Sequence, residues 1–295
     1  MEYNIPTHIF IVPYRNRIEH KFFFQRQMMF LLEDRPPLSY EIYFAHQHDT
    51  RPFNRGGMKN IGFLAMKRKY PNDYKNITFI FNDIDTLPFH KIFPYETTPG
   101  VVAHYYGFET ALGGIVVVKG NDFETINGYP NFWGWGMEDA CLQQRVHKAG
   151  MSIDRSHFQP IGSPKILQLF DGIARLVNKR DTVRSNQDAN GDGISTIHNL
   201  LYTIESKSRC NGDNQYSTED SHFHYINVLN FSTLIRFSSN KYHTYDLRTA
   251  PSEVANPRNP QYKKRLETED WKKIPFCKTT LPMSDRENEK RFFFR

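Results

Sequence analysis

Short apolar runs alternate with stretches of helical spacing through the first two-thirds of this 295-residue chain, and that alternation limits the fold more than any other feature. His8-Ile9-Phe10-Ile11-Val12 is an apolar run closed by Pro13, the pattern of a buried strand. Apolar positions at helical spacing follow over 18–32 (Phe22, Phe23, Met29, Phe30), and Pro36-Pro37 stops that helix. Residues 40–45 predict a second strand, 56–69 a second helix, and 77–81 a third strand that ends in Asn82-Asp83-Ile84-Asp85. Residues 101–104 and 115–118 read as further strands, and 138–149 as a helix stopped by Gly150. Such alternation implies an α/β domain whose mostly parallel sheet is covered on both faces. Ligands of these sheets bind at the carboxyl ends of the strands, which places Asp83 and Asp85 at the mouth of a site.

The character changes after about residue 205. Polar turn residues dominate 205–221, a strand-like run covers 224–231, and 240–295 is rich in charge and proline. The sequence therefore predicts a main domain over 1–204. Residues 205–295 form a C-terminal strand and extension packed on it.

Composition narrows the function. Hydrophobic residues make up 39% of the chain, enough for a real core, so a wholly disordered chain is excluded. Aromatic residues reach 15%, which suits either aromatic-lined sugar sites or aromatic core packing. The net charge of +6 favours anionic ligands, but basic residues occur only in short clusters such as Lys263-Lys264-Arg265, so nucleic acid is not an expected partner. Cys141, Cys210 and Cys277 are too few and too scattered for a zinc site or a disulfide framework, and a reducing compartment fits them. No apolar stretch approaches the roughly 20 residues of a membrane span. The N-terminus carries no signal-peptide pattern, so Asn76-Ile77-Thr78 and Asn230-Phe231-Ser232 read as chance sequons. No H-E-x-x-H, no G-x-G-x-x-G after the first strand and no G-K-[ST] phosphate loop are present, which leaves dinucleotide and ATP chemistry without support.

Four segments carry candidate chemistry. Asp83-Ile84-Asp85 is a D-x-D after an apolar strand; on a strand the two carboxylates point the same way, about 7 Å apart. Hard oxygen donors of this kind suit Mg²⁺ or Mn²⁺, and the cation in turn neutralises a diphosphate. In Asn131-Phe132-Trp133-Gly134-Trp135-Gly136-Met137-Glu138-Asp139, the glycines rule out a regular helix or strand and let a ligand approach the backbone. The two acids then open the next helix, where its dipole favours negative charge. The segment reads as an aromatic sugar platform beside a carboxylate base. Arg15 and Arg17 follow the first strand and suit phosphate or uracil recognition, or are surface arginines. Asp188-Ala189-Asn190-Gly191-Asp192-Gly193 imitates the start of a calcium loop, but Asn199 stands where that loop needs Glu.

Taken in order, these segments resemble the β-1,4-galactosyltransferase family (glycosyltransferase family 7). The matching blocks are Val12-Pro13-Tyr14-Arg15-Asn16-Arg17, Phe53-Asn54-Arg55 with Asn60-Ile61-Gly62-Phe63, Asn82-Asp83-Ile84-Asp85 and Gly113-Gly114. Ile126-Asn127-Gly128-Tyr129-Pro130-Asn131, the Trp133-Gly134-Trp135-Gly136-x-Glu138-Asp139 loop, Gly150-Met151-Ser152-Ile153 and Asp192-Gly193 complete the series, which covers roughly residues 8–204. The resemblance implies a GT-A, Rossmann-like single domain and an inverting transferase. Such an enzyme uses a UDP-sugar and Mn²⁺ (or Mg²⁺) to glycosylate an acceptor hydroxyl. It implies that Asp85 binds the metal. Pro13, Arg15, Arg17, Phe53 and Arg55, with Asp83, Ile84 and Gly114, contact the nucleotide sugar. Trp135 lies between donor phosphate and acceptor, Asp139 is the base and Glu138 binds the acceptor.

Two departures stand out. The family's metal-binding His has no counterpart in Pro164-Lys165-Ile166-Leu167-Gln168-Leu169-Phe170-Asp171, so Asp171 or Gln168 substitutes or metal binding is weakened or lost. Galactose-transferring members carry an aromatic two residues before the Gly-Gly, where Ala111 stands here, so the donor is UDP-galactose or UDP-N-acetylgalactosamine. The alternative to an active enzyme is a catalytically inactive glycan- or UDP-sugar-binding module of the same fold. The family is usually Golgi-anchored; without an anchor, the expectation here is a soluble enzyme of a cytoplasm-like compartment, viral or bacterial in origin.

Overall fold

The structure, a computed structural model, describes residues 5–209, 211–214 and 221–248. In chain order its elements are β1 (His8–Tyr14), α1 (Ile18–Leu32), β2 (Tyr40–Gln47), α2 (Arg55–Lys69), β3 (Thr78–Asn82) and β4 (Thr86–Pro88). They continue with β5 (Val101–Gly107), β6 (Ile115–Lys119), α3 (Gly120–Thr125), α4 (Glu138–Lys148), β7 (Ser152–Asp154) and β8 (Gln159–Pro160). The last are β9 (Ile166–Gln168), β10 (Ala174–Val177), α5 (Lys179–Asn186), β11 (His198–Glu205) and β12 (Phe223–Ser232).

One mixed sheet of nine strands runs β11-β12-β2-β1-β3-β6-β5-β7, with β8 also alongside β5. The strands β12, β2, β1 and β3 are mutually parallel, and β7 and β8 run parallel to β5. Only β6 and β11 run against their neighbours, so the expected α/β sheet of mostly parallel strands is what forms. Every residue of β1 is buried, as a strand covered on both faces requires. Ile9 and Ile11 point into a core with Met58, Ile61 and Ala65 of α2, whereas Phe10, Val12 and Tyr14 pack with Phe24, Met28 and Leu31 of α1. Gly62 lets α2 lie close: a Cβ there would fall 2.3 Å from the Ile11 side chain.

Four sequence expectations change. Pro13 does not end β1, which continues to Tyr14; β3 flanks β1 only from His8 to Ile11, so the missing N–H falls where that ladder has already ended. The buried face of α1 is Phe24, Met28, Leu31 and Leu32, while Phe23 and Phe30 are exposed, because the aromatic run offers more apolar residues than one face can bury. The D-x-D lies beyond β3, in a turn closed by Thr86 N–H to the Asp83 carbonyl at 3.1 Å. Its two carboxylates therefore do not share a strand face. Finally, β12 lies past the expected boundary at 204, yet it sits between β11 and β2 in the sheet. The compact unit accordingly runs through Thr244. Most of the expected extension, including Lys263-Lys264-Arg265, lies outside the described residues, as do Cys210 and Cys277; Cys141 is buried and free. Among the described residues no helix is long and apolar enough to cross a membrane.

Candidate active site

The carboxyl ends of β1, β2, β3 and β5 and the amino end of the antiparallel β6 open on one cavity of about 900 Å³. Every site residue expected from the sequence lines it: Pro13, Arg15, Arg17, Phe53, Arg55, Asp83, Ile84, Asp85, Gly114, Trp135, Glu138 and Asp139. Gln168, Asp171 and Ala111 line it as well.

Its electrostatic centre is Arg55. Asn54 caps α2 by accepting from Gly57 N–H at 2.7 Å, which sets Arg55 on the first turn. The guanidinium donates to both oxygens of Asp83, with Nε to Oδ1 at 3.1 Å, and through Nη1 to Glu138 Oε1 and to Asp139 Oδ2 at 2.9 Å. Lys59, one turn further along α2, is fully buried and ion-pairs with Asp83 at 3.4 Å and Asp139 at 3.9 Å. Burial pushes the Asp83 carboxyl up, but Arg55 and Lys59 outweigh it and hold it below the ordinary range. Glu138 goes the other way: burial, then the Asp139 charge, raises it despite Arg55, and its Oε2 has no hydrogen-bond partner. The Asp139 Oδ1 likewise accepts no hydrogen bond. Sequence reading missed Lys59, although its spacing of four from Arg55 puts both on one helix face.

Asp83 is thus committed to cations of the chain, and Asp85 is the carboxylate left to face a ligand. Burial and the charges of Asp83 and Asp171 push Asp85 up to about 6. The hydroxyl of Thr86 lies 3.1 Å from Asp85 Oδ1 and 3.3 Å from Gln168 Oε1, because β4 pairs with β9 in the register Thr86↔Gln168. Asp171 is ion-paired with Arg175 and lies 3.8 Å from Arg17, whose Nη2 also donates to the Asp171 carbonyl at 2.9 Å. Among the described residues no group of three His, Cys, Asp or Glu side chains is poised around one point. Asp85, Asp171 and Gln168 all line this part of the cavity and carry hard oxygen donors.

Gly114 fixes the turn from the other side. Its φ is +65°, a Cβ would fall 2.3 Å from the Tyr106 carbonyl, and its own carbonyl accepts from Asp83 N–H at 3.0 Å. The two tryptophans separate. Trp133 is core: its ring stacks on Phe231, Arg51 lies 4.6 Å from its centroid, and Nε1 donates to the Ile235 carbonyl at 3.0 Å. Trp135 is 53% exposed over the cavity, with the Arg175 guanidinium 5.6 Å from its ring. Of the two tryptophans in the segment read as an aromatic platform, Trp135 is the exposed one. Left-handed backbone at Gly136 (φ +91°) and Met137 (φ +72°) then turns the chain into α4, placing Glu138 and Asp139 on its first turn. The calcium-like segment braces this loop through its acids. Asp188 is taken by Arg145 through two bonds of 2.8 Å, and Asp192 accepts from Asn131 N at 2.9 Å and Thr196 Oγ1 at 2.9 Å. Arg15 reaches the Arg51 carbonyl from the cavity wall.

A family model described as the N-terminal region of glycosyl transferase group 7 matches residues 5–97, and one described as the N-terminal domain of galactosyltransferase matches 101–167. Xylosylprotein 4-β-galactosyltransferase of Caenorhabditis elegans is 29% identical over 214 residues, which cover 67% of this chain and 71% of that protein. β-1,4-Galactosyltransferase 1 of Bos taurus is 32% identical over 217 residues; the match covers 66% of this chain but spans only half the length of that protein. Among solved structures, the catalytic domain of Drosophila β1,4-galactosyltransferase 7 in complex with xylobiose superposes with a TM-score of 0.58 at 20% identity, covering 76% of this chain and 94% of that one. A mutant of the same enzyme in complex with manganese, UDP-Gal and xylobiose gives 0.55 at 20% identity, with the same coverage. These likenesses give the GT-A fold. The relatives named are animal proteins, which lends nothing to a viral or bacterial origin.

Proposed function

The chain belongs to glycosyltransferase group 7, the β-1,4-galactosyltransferase family, and from that premise we propose that it transfers galactose from UDP-galactose to a sugar hydroxyl with inversion. The observation that carries this reading is convergence: one cavity is lined by Asp85, Arg15 and Arg17 together with Trp135 and Asp139. A diphosphate needs the first group and an acceptor hydroxyl the second.

Asp139 lines the cavity, with Arg55 holding its Oδ2, and accepts the acceptor's hydroxyl proton. The acceptor oxygen bonds to the anomeric carbon as that carbon's bond to the diphosphate oxygen breaks, and UDP departs on the opposite face. Glu138, raised by burial and by the Asp139 charge, lines the cavity beside Asp139 and contacts the acceptor. Trp135 offers its exposed indole face to the sugar. Arg15 and Arg17 receive the nucleotide phosphates or the uracil. Asp85, with Asp171 and Gln168, would hold Mn²⁺ or Mg²⁺, which when bound stabilises the charge of the leaving diphosphate. The relative solved with manganese and UDP-Gal supports that cation and that donor.

The test is UDP release from a panel of UDP-sugars, with and without Mn²⁺, in the presence of GlcNAc, glucose or xylose. Acceptor-stimulated, Mn²⁺-dependent release from UDP-galactose is the expected result. UDP binding without release from any pair would leave a binding module. Asp85→Ala should weaken Mn²⁺-dependent UDP binding at least about tenfold, since few other ligands remain. In the unmodified protein that binding should fade as pH drops below about 6, where a proton competes for Asp85. Calorimetric titration of UDP with and without the metal reads both; full retention in Asp85→Ala moves the metal site elsewhere.

Ala111 lines the cavity beside Gly113, whose position is tight against Asp139: a Cβ on Gly113 would lie 2.6 Å from its Oδ2. A small residue at 111 leaves room for an N-acetylated donor, so UDP-N-acetylgalactosamine is proposed as a second substrate. Ala111→Tyr should shift the ratio of kcat/KM values toward UDP-galactose by roughly tenfold or more, the scale of filling one apolar pocket. An unchanged ratio means that residue 111 does not touch the donor sugar.

A further inference from the structure

A fully buried lysine stands beside the proposed base, and no step above uses it. Lys59 sits one turn after Arg55 on α2, in a stretch whose neighbours Met58, Ile61 and Phe63 are all core. Its Nζ is 3.4 Å from Asp83 Oδ1, 3.9 Å from Asp139 Oδ1 and 4.5 Å from the centroid of the Tyr129 ring, yet it makes no hydrogen bond of good geometry. Burying an ammonium is costly, and an apolar side chain would fill this place on α2 at lower cost. Only the carboxylates account for a cation here. The groups around it are Arg55 from α2, Asp83 from the turn after β3, Glu138 and Asp139 from the start of α4, and the Tyr129 ring. Three carboxylates thus face two cations. Without Lys59, Arg55 alone would face all three, and its Nη1 is already shared between Glu138 and Asp139.

We infer that Lys59 is a positioning residue for proton abstraction: its buried ammonium, 3.4 Å from Asp83 and 3.9 Å from Asp139, holds the Asp83–Arg55–Asp139 array in place. Lys59 itself exchanges no proton; the acceptor's proton goes to Asp139. The inference rests on the proposed role of Asp139.

The test uses Lys59→Met, which keeps the shape and removes the charge, and Lys59→Gln, which serves the same purpose if the first variant does not fold. Steady-state kcat and KM are measured across pH, and the Asp139 carboxyl is titrated by NMR in protein labelled with ¹³Cγ-aspartate, with Asp139→Asn giving the assignment. The expected result is a kcat about 10- to 100-fold lower, the cost of a base slightly misplaced, with KM values within roughly threefold. Losing a neighbouring cation also raises the carboxyl, so the acid limb of kcat and the Asp139 titration should both move up by about one pH unit. A folded neutral variant whose acid limb and titration stay where they are overturns the inference, even if kcat falls, because that loss is structural. If the unmodified enzyme releases no UDP, the transferase reading fails, and the carboxyl titration still decides the role of Lys59.

Discussion

Asp139→Asn should lower kcat for transfer by about 10³-fold or more while leaving UDP binding within roughly threefold, because the variant keeps the site's shape and loses its proposed base. Asparagine has nearly the same volume, and its side-chain oxygen can still accept from Arg55, so α4 and the Trp135 loop have no reason to move. What disappears is the acceptor for the hydroxyl proton. The proposed nucleotide contacts are Asp85, Arg15, Arg17 and Phe53, which line the same cavity and make no hydrogen bond or ion pair with Asp139. Initial rates of acceptor-stimulated UDP release, set beside calorimetric titration with UDP and Mn²⁺, separate the two effects. Turnover at the unmodified rate would remove Asp139 as the base and turn attention to Glu138, whose Oε2 is also free of hydrogen bonds.

The site was legible in the sequence where it depends on position along a strand or on a local irregularity. The turn that follows β3 carries Asp83 to Asp85, and the glycines around Trp135 force a loop; neither needs distant partners. The unread features are those decided by residues far along the chain. Trp133 and Trp135 look alike in sequence, and what separates them is the β12 segment, whose Phe231 and following turn bury the first and leave the second exposed. Because β12 joins the sheet beside β2, the extent of the compact unit through Thr244 could not be seen from the polar run that precedes the strand. The division of labour within the D-x-D was hidden for the same reason: Asp83 goes to Arg55 and Lys59 on α2, while Asp85 faces Asp171 and Gln168 across the β4–β9 pair. Strand periodicity suggests two equal ligands. The turn after β3 and the charges opposite it make them unequal.

Arg55→Leu should cost stability and activity together, and the pH dependence of the loss tests why. The guanidinium is 23% exposed and is the shared donor to Asp83, Glu138 and Asp139. Leucine would leave three poorly solvated carboxylates facing Lys59 alone. Removing one partner of such a cluster costs roughly 3–5 kcal/mol, which lowers Tm on the order of 10 °C in a domain of this size. In the unmodified protein Asp83 is held below its ordinary value of 3.8, so its contribution is fully present above that pH and is lost as pH falls through the lower folded value. In the variant, burial is opposed only by Lys59 and the carboxyls rise, so the penalty is greatest near neutral pH. The difference in Tm between the two proteins should therefore narrow steadily as pH falls toward about 4, where the orphaned acids take up protons. Circular dichroism melts from pH 4 to 8 measure it. A difference that stays constant with pH would assign the loss to packing of the α2 terminus; a Tm equal to that of the unmodified protein at pH 7 would mean the cluster is solvated enough to need no cation. A narrowing gap would identify the same arginine as the group that makes it possible to bury the proposed base beside two other acids, so that stability and catalysis at this site depend on one side chain.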